Sequence, residues 1–265
     1  MSDTQPQVDI LQHNRAAWDQ QAQRQCEWSR PVDAATIAAA RAGQWQVHLT
    51  PTPLLPGWLD EVDGKSVLCL VSAGGQQGPV LAAAGAQVTV FDLSERQLDQ
   101  DRMVAEREGL ELRTVQGDMR DLSAFADASF DYVFHPISNL YVPEVLSVWR
   151  ECFRVLKRGG KLLASFYNPV VFVGDRDPAY AAQGVVKPCY GLPYAEADHL
   201  DQAALAAKRE RGEALVFGHS LADQIGGQLA AGFLLQAYHE EKQPQPRFLL
   251  DRYVPTFIAT CALKP

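Results

Sequence analysis

An open α/β sheet with helices on both faces is the fold class this sequence predicts. Three observations carry that expectation. Short apolar runs alternate with helical stretches from about residue 66 onward. The first run breaks into glycine, in VLCLVSAGGQQG. The second ends on an acid, in QVTVFDLS. Repeated strand–helix–strand spacing favours parallel strands with helices covering both faces.

The elements follow in order. SVLCLVS is a buried strand, and GPVLAAAGA is a short helix closed by Gly85. QVTVFDLS is the second strand. The helix after it, SERQLDQDRMVAEREG, has Ser94 as N-cap and Gln97 in the capping-box position. LRTVQGDM and FDYVFHP are strands three and four. VPEVLSVWRECFRVLKRGG reads as a helix ended by glycine, and KLLASFY as strand five. SLADQIGGQLAAG is a later helix with Ser220 as N-cap. FLLQAYHEE and VPTFIATCALKP then suit an antiparallel pair joined by a long loop. The expectation is a Rossmann-like doubly wound sheet of about seven strands, mostly parallel, with a C-terminal antiparallel strand.

Two regions stand outside that rhythm. Residues 1–65 hold HNRAAWDQQAQ and AATIAAARAGQW, two helical stretches, then the proline-rich LTPTPLLPGW. They are expected to form N-terminal helices acting as a lid. Residues 169–219 mix aromatics, prolines and charge, and are expected to be an inserted cap that shapes a substrate region. The core is then 66–168 together with 220–265.

Composition narrows the function. The chain has 265 residues, 47% hydrophobic, with a formal net charge of -8. Phosphate backbones repel acidic surfaces, so nucleic acid is not an expected partner. No apolar run is long enough to span a bilayer, and MSDTQPQVDI lacks the basic flank and apolar core of a secretion signal. Cys26, Cys69, Cys152, Cys189 and Cys261 are scattered and odd in number. That argues against a disulfide framework and for a cytoplasmic location. The histidines show no H-x-x-x-H or H-E-x-x-H, so no metal site is expected.

A glycine turn after strand one lets the backbone approach a ligand, and an acid ending strand two accepts hydrogen bonds from ribose hydroxyls. Gly74, Gly75 and Asp92 stand at those places. Ala73 to Gly78 nearly satisfies the dinucleotide pattern, yet a lone glycine motif also suits a plain structural turn. A nicotinamide-dependent oxidoreductase is one alternative, with a Y-x-x-x-K from Tyr238 to Lys242. That pair falls in an apolar strand near the C-terminus, not on a mid-chain helix.

The stretches VQGDMRDLSAFADASFDYVF and FRVLKRGGKLLASF resemble the class I S-adenosylmethionine-dependent methyltransferases, most closely the methyltransferase type 11 group. Gly117, Asp118, Leu122, Phe125, Asp127, Ser129, Phe130 and Asp131 fall in the register of that group's G-D-x-x-x-L-P-F-x-D-x-S-F-D. Arg154, Val155, Leu156, Lys157, Gly159 and Gly160 follow its R-V-L-K-P-G-G. The resemblance implies S-adenosyl-L-methionine as cofactor and a small-molecule methyl acceptor. It implies Ser72, Ala73, Gly74 and Gly75 beside the methionine part of the cofactor. Asp92 would take the ribose and Leu93 would pack near the adenine. Gly117 and Asp118 would bind the cofactor from the tip of strand three, Asp118 meeting the adenine amino group and Met119 the ring. Trp18 would close over the cofactor or else anchor the core, and His135 would face the methyl-transfer site.

The first motif departs from the group's D-x-G-x-G-x-G, with Cys69 for the acid and Val71 and Ala73 for two glycines. A β-branched valine resists positive φ. The turn is therefore expected to differ locally, with Gly74 taking the special conformation. A non-catalytic cofactor-binding module is the second alternative, and it rests on this altered motif.

For the chemistry, His135 at the end of strand four is the candidate general base, with a cofactor contact as its other reading. Ser138, Asn139 and Tyr141 on the following loop, and Tyr167 ending strand five, are candidate substrate contacts. His219 precedes the final helix, where the dipole would depress its pKa and suit a neutral base.

Overall fold

The computed structural model describes residues 9–59, 61–175 and 177–265. Residues 1–8 of the expected N-terminal segment lie outside the described residues. Five strands follow the predicted order: β1 (Ser66–Leu70), β2 (Gln87–Asp92), β3 (Leu112–Gln116), β4 (Phe130–His135) and β5 (Leu156–Tyr167). A short pair, β6 (Tyr194–Ala195) and β7 (Phe217–Gly218), forms a separate two-stranded sheet. The strands β8 (Leu234–Glu241) and β9 (Phe257–Leu263) complete the main sheet.

Its order is β3-β2-β1-β4-β5-β9-β8. β1 to β5 pair in parallel, and β9 runs antiparallel to both β5 and β8. Strand order reverses between β1 and β4. A ligand crevice opens at such a reversal, outside the carboxyl ends of the strands.

The helices are α1 (Ile10–Gln23), α2 (Ala34–Arg41), α3 (Gln77–Ala83), α4 (Glu95–Glu108), α5 (Leu146–Val155), α6 (Pro178–Ala182), α7 (Gln202–Arg211) and α8 (Gly227–Ala231). Alternation along β1 sorts them between the two faces. Val67 and Cys69 join a core with α2, α3 and α4 residues such as Ile37, Leu81 and Leu98. Leu68 and Leu70 point the other way, into a core with Val148, Trp149 and Cys152 of α5. Both sheet faces are thus covered, as near-continuous apolar strands require.

Two local expectations change. The helix expected to end at Gly159-Gly160 stops at Val155, and Leu156–Gly160 already belong to β5. Leu156 pairs with Phe130 across a register irregularity, so sheet pairing overrides helix propensity there. Ser94 does cap α4, its hydroxyl accepting the Gln97 N–H at 3.2 Å. The Gln97 side chain, however, does not return to the cap. It accepts the Gly74 N–H at 2.9 Å and donates to the Ser29 hydroxyl at 2.6 Å.

The turn after β1 also departs from expectation. Val71 (φ 51°) and Ala73 (φ 69°) adopt the left-handed conformation, together with Gly75 (φ 72°), while Gly74 does not. The backbone path survives without two glycines because neighbours hold it. The Val71 N–H donates to the Phe91 carbonyl at 2.8 Å, extending the β1–β2 ladder. The Gly75 N–H donates to Asp101 of α4 at 3.0 Å. Gly74 is needed for closeness instead: a Cβ there would lie 2.5 Å from the Gln97 carbonyl oxygen.

A left-handed residue bearing a Cβ costs about 1–2 kcal/mol, against about 0.5–1 kcal/mol of chain entropy for glycine. Ala73→Gly is therefore expected to stabilise the protein by about 0.5–1 kcal/mol in urea unfolding. Gly75→Ala adds both the strained φ and a Cβ within 3.1 Å of the Pro31 Cα. It is expected to cost about 2 kcal/mol by the same measurement.

Candidate active site

A cleft of about 710 Å³ opens over the carboxyl ends of β1 and β4. Its floor is the turn residues Val71, Ser72 and Ala73. Its walls come from Trp18 of α1, the 48–51 segment, the loop 136–141, Tyr167 at the end of β5, Phe257 of β9 and the loop 243–247. A narrow crevice of about 30 Å³ adjoins it, sharing Trp18, Val71, Asp92 and Tyr141. Leu93, Asp118, Met119 and Arg120 line that crevice. Asp92 and Asp118, from the tips of β2 and β3, thus converge on one hollow.

The two acids differ in state. Asp92 is buried, and one carboxylate oxygen accepts the Ser94 N–H at 2.8 Å. Burial pushes its pKa up to about 7, and the neighbouring Asp19 carboxylate adds to the rise. Asp19 itself accepts the Ser94 hydroxyl at 2.6 Å, which pins α1 to the start of α4. Asp118 is half-buried and gripped by the Arg120 guanidinium, with Nε 2.9 Å from Oδ2. A third acid, Asp101, is buried under the turn, where desolvation raises its pKa well above the ordinary carboxyl range. Its second oxygen has no hydrogen-bond partner.

The structure brings many of the expected residues together. Ser72, Ala73, Ser138, Tyr141 and Tyr167 line the wide cleft, and Leu93 and Met119 line the crevice. Trp18 stands between the two, its ring edge-on to Tyr141 at 5.1 Å. The indole N–H is buried without a partner. Gly74 and Gly75 lie behind the floor, their amides used by Gln97 and Asp101. Gly117 does not line either hollow: its N–H bonds to the Asp92 carbonyl at 3.0 Å and its Cα packs on the Phe91 ring.

Three expectations fail. His135 does not face the cleft. It is fully buried, its Nδ1 3.0 Å from the Leu70 carbonyl and its ring 5.9 Å from that of Trp149. Alternation along β4 explains this. Val133 faces the α5 core and Phe134 the opposite one, so His135 follows Val133 inward. Burial lowers its pKa to about 4. Asn139 is buried too, exchanging hydrogen bonds with the Gln224 amide at 2.9 and 3.2 Å. His219 lies outside the cleft, with Nε2 3.1 Å from the Asn139 carbonyl. Its pKa is lowered, chiefly by burial and not by a helix terminus. Tyr238 of the Y-x-x-x-K alternative sits on β8, outside both hollows, donating to Glu240 at 2.7 Å.

Sequence reasoning missed other lining residues. His48 and Thr50 come from the proline-rich segment, and Gln243 to Arg247 from the loop between β8 and β9. The Arg247 guanidinium lies 5.7 Å from the Trp28 ring and pairs with Glu27 at 3.4 Å. For Gln97 and Asp101, the signal was two polar residues on the face of an amphipathic helix that packs on the sheet.

The residues present fit an adenosyl ligand. A buried carboxyl with one oxygen uncommitted to Ser94, an unpartnered indole N–H and apolar Leu93 and Met119 surround the same hollow. Among the described residues, no helix is long and apolar enough to cross a membrane.

Comparison with known proteins agrees with this geometry. Residues 68–164 match the methyltransferase domain family. A Bacillus subtilis protein described as the uncharacterized methyltransferase YbaJ is 48% identical over 256 residues, 96% of this chain and 98% of that protein. A Stutzerimonas stutzeri ubiquinone biosynthesis O-methyltransferase is 34% identical over 119 residues, 44% of this chain and 51% of that protein. An S-adenosylmethionine-dependent methyltransferase from Mesorhizobium loti has the same fold, with a TM-score of 0.58 at 20% identity over 87% of this chain and 98% of that one. With its sheet order, its paired strand-tip acids and a near full-length relative, the chain belongs to the S-adenosylmethionine-dependent methyltransferases of this domain family.

Proposed function

We propose that the protein methylates a small-molecule acceptor seated in the wide cleft, by in-line displacement. The observation that carries this reading is the convergence of Asp92 and Asp118 on a crevice that opens into a much larger hollow. The crevice suits the adenosine half of the cofactor, and the remaining volume lies in the range of small-ligand pockets, about 300–1,000 Å³. The likeness of half the chain to an O-methyltransferase of ubiquinone biosynthesis supports a small acceptor.

Bound there, the cofactor supplies an electrophilic methyl group on a sulfonium. The chain's own residues bind and orient. Asp92 accepts the ribose hydroxyls, and Asp118, held by Arg120, accepts the adenine amino group. Leu93 and Met119 sandwich the ring. Ser72 and Ala73 lie beside the methionine part, and Trp18 and Tyr141 separate it from solvent. Alignment of this kind is worth about 7–11 kcal/mol for a bimolecular step. The segments 1–65 and 169–219 act together as the lid, because Asn14 of α1 bonds to the Tyr141 and Leu215 carbonyls at 2.8 and 3.0 Å.

Calorimetry with S-adenosylhomocysteine tests the reading. Asp92→Ala is expected to weaken binding about tenfold or more, the scale of losing hydrogen bonds to a charged group. Unchanged affinity would overturn it.

A pH dependence follows from the burial of Asp92. Its carboxyl is protonated in the unliganded protein below about pH 7. Ribose hydroxyls donate best to the ionised form, so binding releases the proton. Affinity is expected to fall about tenfold per pH unit below 7, and Asp92→Asn should flatten the slope. The raised pKa also means that the folded state binds the proton more tightly than the unfolded state. Unliganded stability should therefore drop as pH rises from about 4 to 7.

A further inference from the structure

The histidines expected at the cleft, His135 and His219, point elsewhere. His48 stands on the cleft wall. It lines the wide cleft but not the adenosine crevice, and its half-buried ring has no hydrogen-bond partner among the described residues. The segment carrying it is strapped across the carboxyl ends of the strands. The His48 N–H donates to Gln77 at the start of α3, at 3.0 Å. The Ser165 hydroxyl of β5 donates to the Leu49 carbonyl. The Thr52 hydroxyl and N–H donate to Glu241 of β8 at 2.7 and 3.1 Å, and the Thr50 hydroxyl joins them. A ring on a strap tied at three strands or helices is held in place, yet its polar atoms are uncommitted.

Tyr167 at the end of β5 also lines the cleft, and the remaining titratable groups there have other places. Glu27 and Arg247 pair with each other at the rim, and Asp92 lies at the crevice. Tyr141 is pushed up by burial, so its hydroxyl holds its proton.

Resting on the methyl-transfer reading above, we propose that His48 accepts the proton of the methyl acceptor, and that the acceptor's nucleophile is a weakly acidic hydroxyl or thiol. The acceptor's O–H or S–H bond breaks and its proton bonds to the unprotonated ring nitrogen of His48. The lone pair freed on oxygen or sulfur forms the new bond to the methyl carbon. The bond between that carbon and the cofactor's sulfur breaks, its electron pair staying on that sulfur. Burial holds the His48 pKa below the usual imidazole value, so the ring starts neutral. The Glu241 carboxylate favours the charged ring once it forms.

The test compares wild type and His48→Gln on substituted phenols and thiophenols of graded acidity. Wild type is expected to methylate members of the series. The variant is expected to slow the least acidic ones by about 10²-fold or more, and those already ionised by less than about tenfold. Its affinity for S-adenosylhomocysteine should stay within about threefold of wild type by calorimetry, which also reports that the site has folded. In protein saturated with that ligand, the His48 ring signal in NMR should shift on adding 4-nitrophenol or 4-nitrothiophenol.

Equal slowing across the series, an unchanged rate, methylation confined to amines or carboxylates, or a ring signal unmoved by both probes would overturn the proposal. Loss of S-adenosylhomocysteine binding in wild type is a separate result, and it removes the underlying cleft assignment.

Discussion

The turn from Val71 to Gly75 is the constraint on which the site depends. Three of its residues sit at positive φ, two of them with side chains, at about 1–2 kcal/mol for each of the two. Such strain persists only where surroundings over-determine the backbone. Here α4 does so from below. Gln97 and Asp101, on one face of the helix, accept the amides of Gly74 and Gly75. From the other side, the Gly75 carbonyl accepts the Val32 N–H at 2.9 Å, fastening the N-terminal segment to the same turn. The consequence is directional. Those two amides point into the protein, so the turn offers the cleft its Ser72 and Ala73 surface and not a nest of free N–H groups.

The same helix end sets the electrostatics. Asp19, Asp92 and Asp101 gather around the first two turns of α4, and each raised acid is raised first by desolvation and then by a neighbouring acid. Packing three carboxyls together is tolerable when protons neutralise part of their charge. The backbone N–H groups of Ser94, Arg96 and Gly75 absorb the rest. On the proposed assignment, ligand hydroxyls at Asp92 act on a linked set of carboxyls and not on an isolated anion.

Much of the sheet was legible because short continuous apolar runs ended by glycine or acid leave few other arrangements. The acids at the tips of β2 and β3 were legible for the same reason: strand ends in a parallel sheet share an edge. What failed was direction. His135 was placed correctly at a strand end, yet its face follows from alternation with Val133 and Phe134, which sends it under α5. Gln97 was placed in the first turn of α4, but a capping box and a brace for the turn use the same position. Val71 was judged by its intrinsic cost alone, whereas bonds from the turn to Phe91, Gln97, Asp101 and Val32 hold the conformation. His48 lay in a proline-rich stretch with no periodicity, where only tertiary bonds from α3, β5 and β8 fix the chain.

The division of labour in the cleft follows from where its walls come from. Asp92, Leu93, Asp118 and Met119 all fall within residues 68–164, the span shared with the methyltransferase domain family. Trp18, Trp28, His48, Tyr167, Arg247 and Phe257 all fall outside it. On the proposed assignment, the cofactor half of the hollow is built from strand tips whose geometry the sheet dictates. The rest of the wide cleft combines the 71–73 turn and the 136–141 loop, inside that span, with walls from outside it: Tyr167 and Phe257 on the sheet itself, and the 48–52 strap bonded to Ser165 and Glu241. The likeness to the ubiquinone biosynthesis enzyme extends over 119 residues, 44% of this chain, and so leaves more than half of the chain outside it.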